Sequence, residues 1–126
     1  MSVLGRSTQG SLEADSLDLW SLASSVTQVT IEGDELSALC PVTSNPDLYT
    51  WKIEHSGTQE IESKSLKMYL LGFRDRGISC ADLAATIADD LSRVLNVEVT
   101  CALTQQSRGG MRLSAVAVGR MSEREL

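Results

Sequence analysis

Four stretches of the chain alternate apolar with polar residues, and two others repeat apolar residues at helical spacing. Val29 and Ile31 alternate within residues 26–32 and predict a first strand, closed by a turn at Gly33-Asp34. Tyr49, Trp51 and Ile53 alternate with Thr50, Lys52 and Glu54 in a second, which Ser56-Gly57 ends. Over residues 62–73 the period becomes helical: Leu66, Tyr69, Leu70 and Phe73 share one face, and Lys64, Lys67 and Arg74 gather roughly opposite. Gly77 breaks that helix. Ser79 then reads as an N-cap with Asp82 three residues on, and Leu83, Ile87, Leu91 and Val94 line a second helix. It runs to about Leu95, with Asn96 as C-cap. Residues 97–104 alternate again, Arg108-Gly109-Gly110 gives a hairpin turn, and residues 111–118 form a last strand.

The order ββααββ predicts an α+β domain, an antiparallel four-stranded sheet with two helices on one face. It occupies residues 25–119. Residues 1–24 are rich in Ser, Gly and Asp, with Leu17, Leu19, Trp20 and Leu22 as their apolar cluster. They read as an N-terminal arm, mobile over the first dozen residues and docked on a neighbour over 17–23. Residues 120–126 read as a frayed tail.

Composition narrows the class. At 126 residues one domain is expected. Hydrophobic residues make up 42% but aromatics only 4%, so the core rests on aliphatic side chains and suits an oligomer that completes it between subunits. No apolar run approaches a membrane span, and no signal peptide is visible. Cys40, Cys80 and Cys101 are an odd set without metal-type spacing, which favours a reducing cytoplasm and no metal. A net charge of −6 argues against a grip on nucleic-acid phosphates. Lys64, Lys67, Arg74 and Arg76 nevertheless fall in one short segment, which suits a phosphorylated small molecule.

Residues 39–47 read L-C-P-V-T-S-N-P-D. Pro41 and Pro46 each fix φ and push the residue before them towards extended backbone, so the stretch is a stiffened loop. Such a loop holds a thiol and a carboxyl at a set separation, as a nucleophile with its proton donor requires. A cysteine beside proline is more often a small buried hydrophobe, so context decides.

The context is E-S-K-S-L-K-M-Y over 62–69, G-F-R-D over 72–75 and R-G-G over 108–110. Together with the Cys40 loop these motifs resemble the nitrile reductase family of queuosine biosynthesis (QueF), with its C-P-x-T-x-x-P-D, E-S-K-S-L-K-x-Y, S-F-R-N and R-G-G signatures. The resemblance spans about residues 25–119. It implies the tunnelling fold (T-fold), whose subunits join edge strands into a ring, often two stacked pentamers, with active sites between subunits. It implies reduction of the nitrile of 7-cyano-7-deazaguanine to the aminomethyl product, with NADPH as cofactor and a covalent thioimide on Cys40. By the same resemblance Asp47 is the proton donor, Ile61, Glu62 and Ser63 hold the deazapurine, and Lys64, Lys67, Arg74 and Arg108 contact the NADPH phosphates.

One departure stands out. Where the family has an F-H-E triplet whose histidine and glutamate contact substrate, this chain has Ser79-Cys80-Ala81. Cys80 and Ala81 thus take the substrate-binding positions without imidazole or carboxylate, and the sole histidine, His55, does not match. Cys80 is either a small buried filler or a resolving thiol near Cys40. The altered pocket leaves three readings: the NADPH-dependent reductase; a QueF-like amidinotransferase that adds ammonia to the same thioimide on tRNA; and a non-reducing binder of a purine-like ligand.

Overall fold

The structure, a computed structural model, describes residues 14–120. Its strands are β1 (Leu19–Ser21), β2 (Val29–Gly33), β3 (Ser37–Leu39), β4 (Pro46–His55), β5 (Gln59–Ile61), β6 (Val99–Gln105) and β7 (Ser114–Gly119). Two helices lie wholly within the described residues, α1 (Ser63–Leu71) and α2 (Cys80–Leu95), both between β5 and β6. The α+β class and antiparallel sheet expected from the sequence are both present.

β4 is the spine. On one side it pairs with β6, from Tyr49↔Gln105 to His55↔Val99, and β7 follows β6. On the other side two short strands share its edge in succession, β2 against residues 51–55 and β3 against residues 46–48. The sheet therefore has five strands where four were expected. The break between β2 and β3 has a local cause. The Trp51 indole lies over Gly33, where an added Cβ would stand 2.6 Å from the ring, and its Nε1 donates to the Glu35 carbonyl at 3.1 Å. Across the gap Tyr49 N still donates to Leu36 O at 2.8 Å, so the edge keeps one backbone bond there.

β1 and β5 form a separate antiparallel pair, Leu19↔Ile61 to Ser21↔Gln59. Ala14 and Leu17, just before β1, are buried in the hydrophobic core. Residues 1–13 and 121–126, the rest of the arm and most of the tail, lie outside the described residues. β1, β3 and β5 have three residues each, too few for alternation to register. β4 begins at Pro46, ahead of the expected start at Tyr49; a first strand position tolerates the missing N–H.

The helices sit where their apolar faces require. Leu66, Tyr69 and Leu70 of α1 are buried, as is Phe73 just beyond it. Burial of each such side chain is favourable by about 1.5–3 kcal/mol. The helix ends at Leu71, because the next amides bond three residues back: Gly72 N to Tyr69 O, Phe73 N to Leu70 O, Arg74 N to Leu71 O. In α2, Ser79 caps the start through Oγ, which accepts from Asp82 N at 3.2 Å, and Asn96 closes the end in the left-handed region at φ 61°. The helix lies close on the sheet, since its Ala88 carbonyl occupies the place a Cβ on Gly119 would take. The two helices are tied by Tyr69, whose hydroxyl donates to buried Asp90 Oδ2 at 2.6 Å.

Candidate functional site

Cys40 directly follows β3, and the six residues to Asn45 turn the chain back into β4. Cys40 N donates to Asn45 O at 2.8 Å and Ser44 N to Cys40 O at 2.9 Å, closing the turn, while Ser44 adopts φ 64°. Thr43 Oγ1 accepts from Asn45 N at 3.2 Å. The same turn serves the sulfur. Hydrogen bonds from the Thr43 hydroxyl, then from the backbone N–H groups of Thr43 and Val42, hold the Cys40 thiol below its ordinary pKa. A thiolate is the nucleophilic form, and the loop donors favour it at Cys40.

Asp47 faces inward from β4, paired with Ala38, and is buried. Arg108, in the turn between β6 and β7, donates from Nη1 to Asp47 Oδ1 at 2.7 Å and to the Pro46 carbonyl at 3.0 Å. Oδ1 is thus held by Arg108.

The start of α2 is brought to this hairpin by two backbone bonds. Leu39 N donates to Arg76 O at 2.9 Å, and Ile78 N donates to Leu39 O at 3.0 Å. Cys80, two residues on, is buried, and burial followed by the charge of Asp47 pushes its thiol up. Cys40, Cys80 and Cys101 are all free thiols. Ala81 lies beside Cys80 but is exposed.

Tyr49 completes the neighbourhood and is the residue that sequence reasoning missed, taking it for a strand residue only. It is two residues beyond Asp47, hence on the same face of β4, and is only 2% exposed. Its pKa is pushed up to about 12, by burial first and then by the charges of Cys80, Asp47 and Cys40. The signal available in the sequence was its period-2 relation to the candidate acid.

The other expected residues lie elsewhere. Glu62 caps α1, its Oε2 accepting from Lys64 N at 2.7 Å and its Oε1 from Ser65 N at 2.8 Å. Those donors hold its carboxyl below the usual range. Ile61 is buried at the end of β5, and Ser63 and Lys67 line a groove with Trp51, Leu66 and Leu70. Glu62 and Ser63 are thus at one end of the nine-residue α1, a helix roughly 13 Å long, and the segment touching Leu39 follows the other end. Lys64 and Lys67 are exposed and enter no ion pair among the described residues, whereas Arg74 pairs with Asp75 at 3.8 Å. His55 ends β4, eight residues from Asp47 and so roughly 26 Å away along the strand.

A family model described as QueF-like protein matches residues 46–123, which include Asp47, Tyr49, Glu62, Cys80 and Arg108 and begin six residues after Cys40. A protein of Frankia casuarinae named NADPH-dependent 7-cyano-7-deazaguanine reductase is 36% identical over 102 residues, covering 79% of this chain and 82% of its relative. The chain belongs to the QueF family.

A second family member bearing the same name, from Chlorobium phaeobacteroides, is 38% identical over 85 residues, 66% of this chain and 73% of that one. The crystal structure of the archaeosine synthase QueF-Like in the apo form superposes with a TM-score of 0.69, covering 79% of this chain and 99% of the other at 17% identity. That likeness is one of fold. Among the described residues of this QueF-family chain, no helix is long and apolar enough to cross a membrane.

Proposed function

We propose that this QueF-family chain reduces the nitrile of 7-cyano-7-deazaguanine to the aminomethyl group through a thioimide on Cys40. The observation that carries the reading is the hairpin in which donors favour the Cys40 thiolate while Arg108 fixes one oxygen of Asp47. The names of the related proteins agree with it.

In this reading the Cys40 sulfur adds to the nitrile carbon, so that a C–S bond forms and C≡N becomes C=N. The proton that the Cys40 thiol gives up is relayed through Asp47 Oδ2 to the nitrogen, and the thioimide is neutral. NADPH, held by the cations of α1, would supply the two hydrides that the carbon needs. After the first hydride and a proton from water the carbon is tetrahedral; Cys40 then leaves as thiolate, eased by the loop donors, and the C=NH2+ left behind takes the second hydride to give the aminomethyl group. Arg108 acts as a clamp on Asp47 in place of the cofactor contact expected from its motif. Lys67, which enters no ion pair among the described residues, and Lys64, whose charge bears on Glu62, suit the cofactor's phosphates, and Arg74 joins them if it leaves Asp75.

Glu62 recognises the heterocycle. Its two capping bonds occupy part of a carboxylate's lone-pair capacity and fix its direction, which leaves acceptors for a guanidine-like ring edge. Ile61 and Ser63 stand beside it. Because Glu62 and Cys40 belong to opposite ends of α1, the proposal includes a tunnelling-fold ring in which one copy's Glu62 faces another copy's Cys40.

Protein, nitrile and NADPH are mixed and nicotinamide absorbance is followed. Oxidation absent from a Cys40→Ala control is the expected result, and none above that control overturns the reading. The Ser79-Cys80-Ala81 triplet favours a second reading, in which ammonia attacks the same thioimide without reduction. Amidine formation from ammonia on nitrile-bearing tRNA separates the two.

A further inference from the structure

Two buried side-chain polar atoms among the described residues have no hydrogen-bond partner, Tyr49 Oη and Arg76 Nη1. Arg76 is only partly buried and has its guanidinium over the Phe73 ring, 5.6 Å from the centroid. Tyr49 is enclosed at 2% exposure, and its hydroxyl has nothing. An unpaired buried hydroxyl costs free energy, and native proteins rarely keep one without a use.

Its place suggests the use. Tyr49 shares a face of β4 with Asp47, and Cys40 and Cys80 bear on it from the hairpin and from the start of α2. Cys80 and Ala81 offer neither a charge nor a strong donor to a ligand there. We propose that Tyr49 is a substrate-binding residue, its hydroxyl donating a hydrogen bond to an acceptor atom of the nitrile-bearing, purine-like heterocycle held at Cys40.

The inference rests on the proposed reading of that site. The phenol is suited to it: with its pKa near 12 it remains a donor throughout the neutral range. A phenylalanine would keep the ring packing and lose only the donor. The same group sets specificity, because a site built around a buried donor discriminates against ligands that lack the acceptor.

The test compares wild type, Tyr49→Phe and Cys40→Ala with 7-cyano-7-deazaguanine as probe. Intact mass reads the covalent adduct, calorimetry on the Cys40→Ala background with and without Tyr49→Phe reads reversible binding, and thermal unfolding reads the fold. Tyr49→Phe is expected to raise half-saturation by about tenfold or more, as loss of one buried hydrogen bond does. Its melting temperature stays unchanged or rises. Equal half-saturation in the two proteins overturns the role of Tyr49 and leaves the thioimide reading intact, as does a drop in melting temperature with binding unchanged, which marks a water-bridged structural hydroxyl. If wild type forms no adduct yet binds reversibly, and Tyr49→Phe weakens that binding, the covalent reading fails and Tyr49 stands. No binding by either measure overturns both.

Discussion

Arg108 reaches from the turn after β6 to the start of β4, where its Nη1 lies 2.7 Å from Asp47 Oδ1. Sixty-one residues apart in sequence, the two form the one ion pair in which a carboxylate of the Cys40 hairpin is fixed by a side chain. A clamp and a cofactor contact differ in kinetics. Arg108→Ala is expected to lower kcat while the KM for NADPH holds, and to lower unfolding free energy by about 1–3 kcal/mol because Asp47 loses a charge-assisted bond. A raised KM at unchanged kcat would assign Arg108 to the phosphates.

The Cys40 loop sets a pH dependence. Its donors depress the thiol pKa, so thiolate persists to lower pH than in a free cysteine and falls away as pH drops through the depressed value. Iodoacetamide alkylation of Cys40, followed by peptide mass, is therefore expected to have its midpoint below that of a free cysteine. Thr43→Val removes the largest cause and moves the midpoint up. Cys101, whose thiol burial pushes up to about 12, stays unmodified while the fold is intact.

Sharing of sites between copies has a direct test. Under the proposed reading, Cys40→Ala and Glu62→Ala proteins are each expected to be inactive alone and to regain part of the proposed reductase activity when unfolded together and refolded as a mixture. No recovery in mixed assemblies of confirmed size would place both residues of a site in one copy.

Tyr69 and Asp90 hold the helices together away from this chemistry. Tyr69→Phe leaves Asp90 with the Arg93 guanidinium, at 3.3 Å, as its remaining side-chain donor. Urea unfolding is expected to show a loss of about 1–3 kcal/mol. Cys40 alkylation stays as in wild type, which distinguishes a packing defect from a site defect.

At Gly119 β7 lies tight against the α2 backbone. Gly119→Ala drives a methyl into the Ala88 carbonyl and is expected to destabilise by about 1–3 kcal/mol or more, read by the same unfolding curve.

The sequence by itself determined the two helices, their buried faces and the caps of the second, because period and capping are local: Leu66, Tyr69, Leu70, Ser79 and Asn96 all sit as the pattern requires. Of the loop expected over residues 39–47, only Cys40 to Asn45 is a turn, because Leu39, Pro46 and Asp47 pair as strand residues. Tertiary structure alone decided what those residues meet. That Arg108 binds Asp47 and that the Tyr49 hydroxyl is enclosed near three ionisable groups depend on strands and turns brought together from distant parts of the chain. Strand pairing sets those encounters, and its register is a property of two segments at once, which no single stretch of sequence contains.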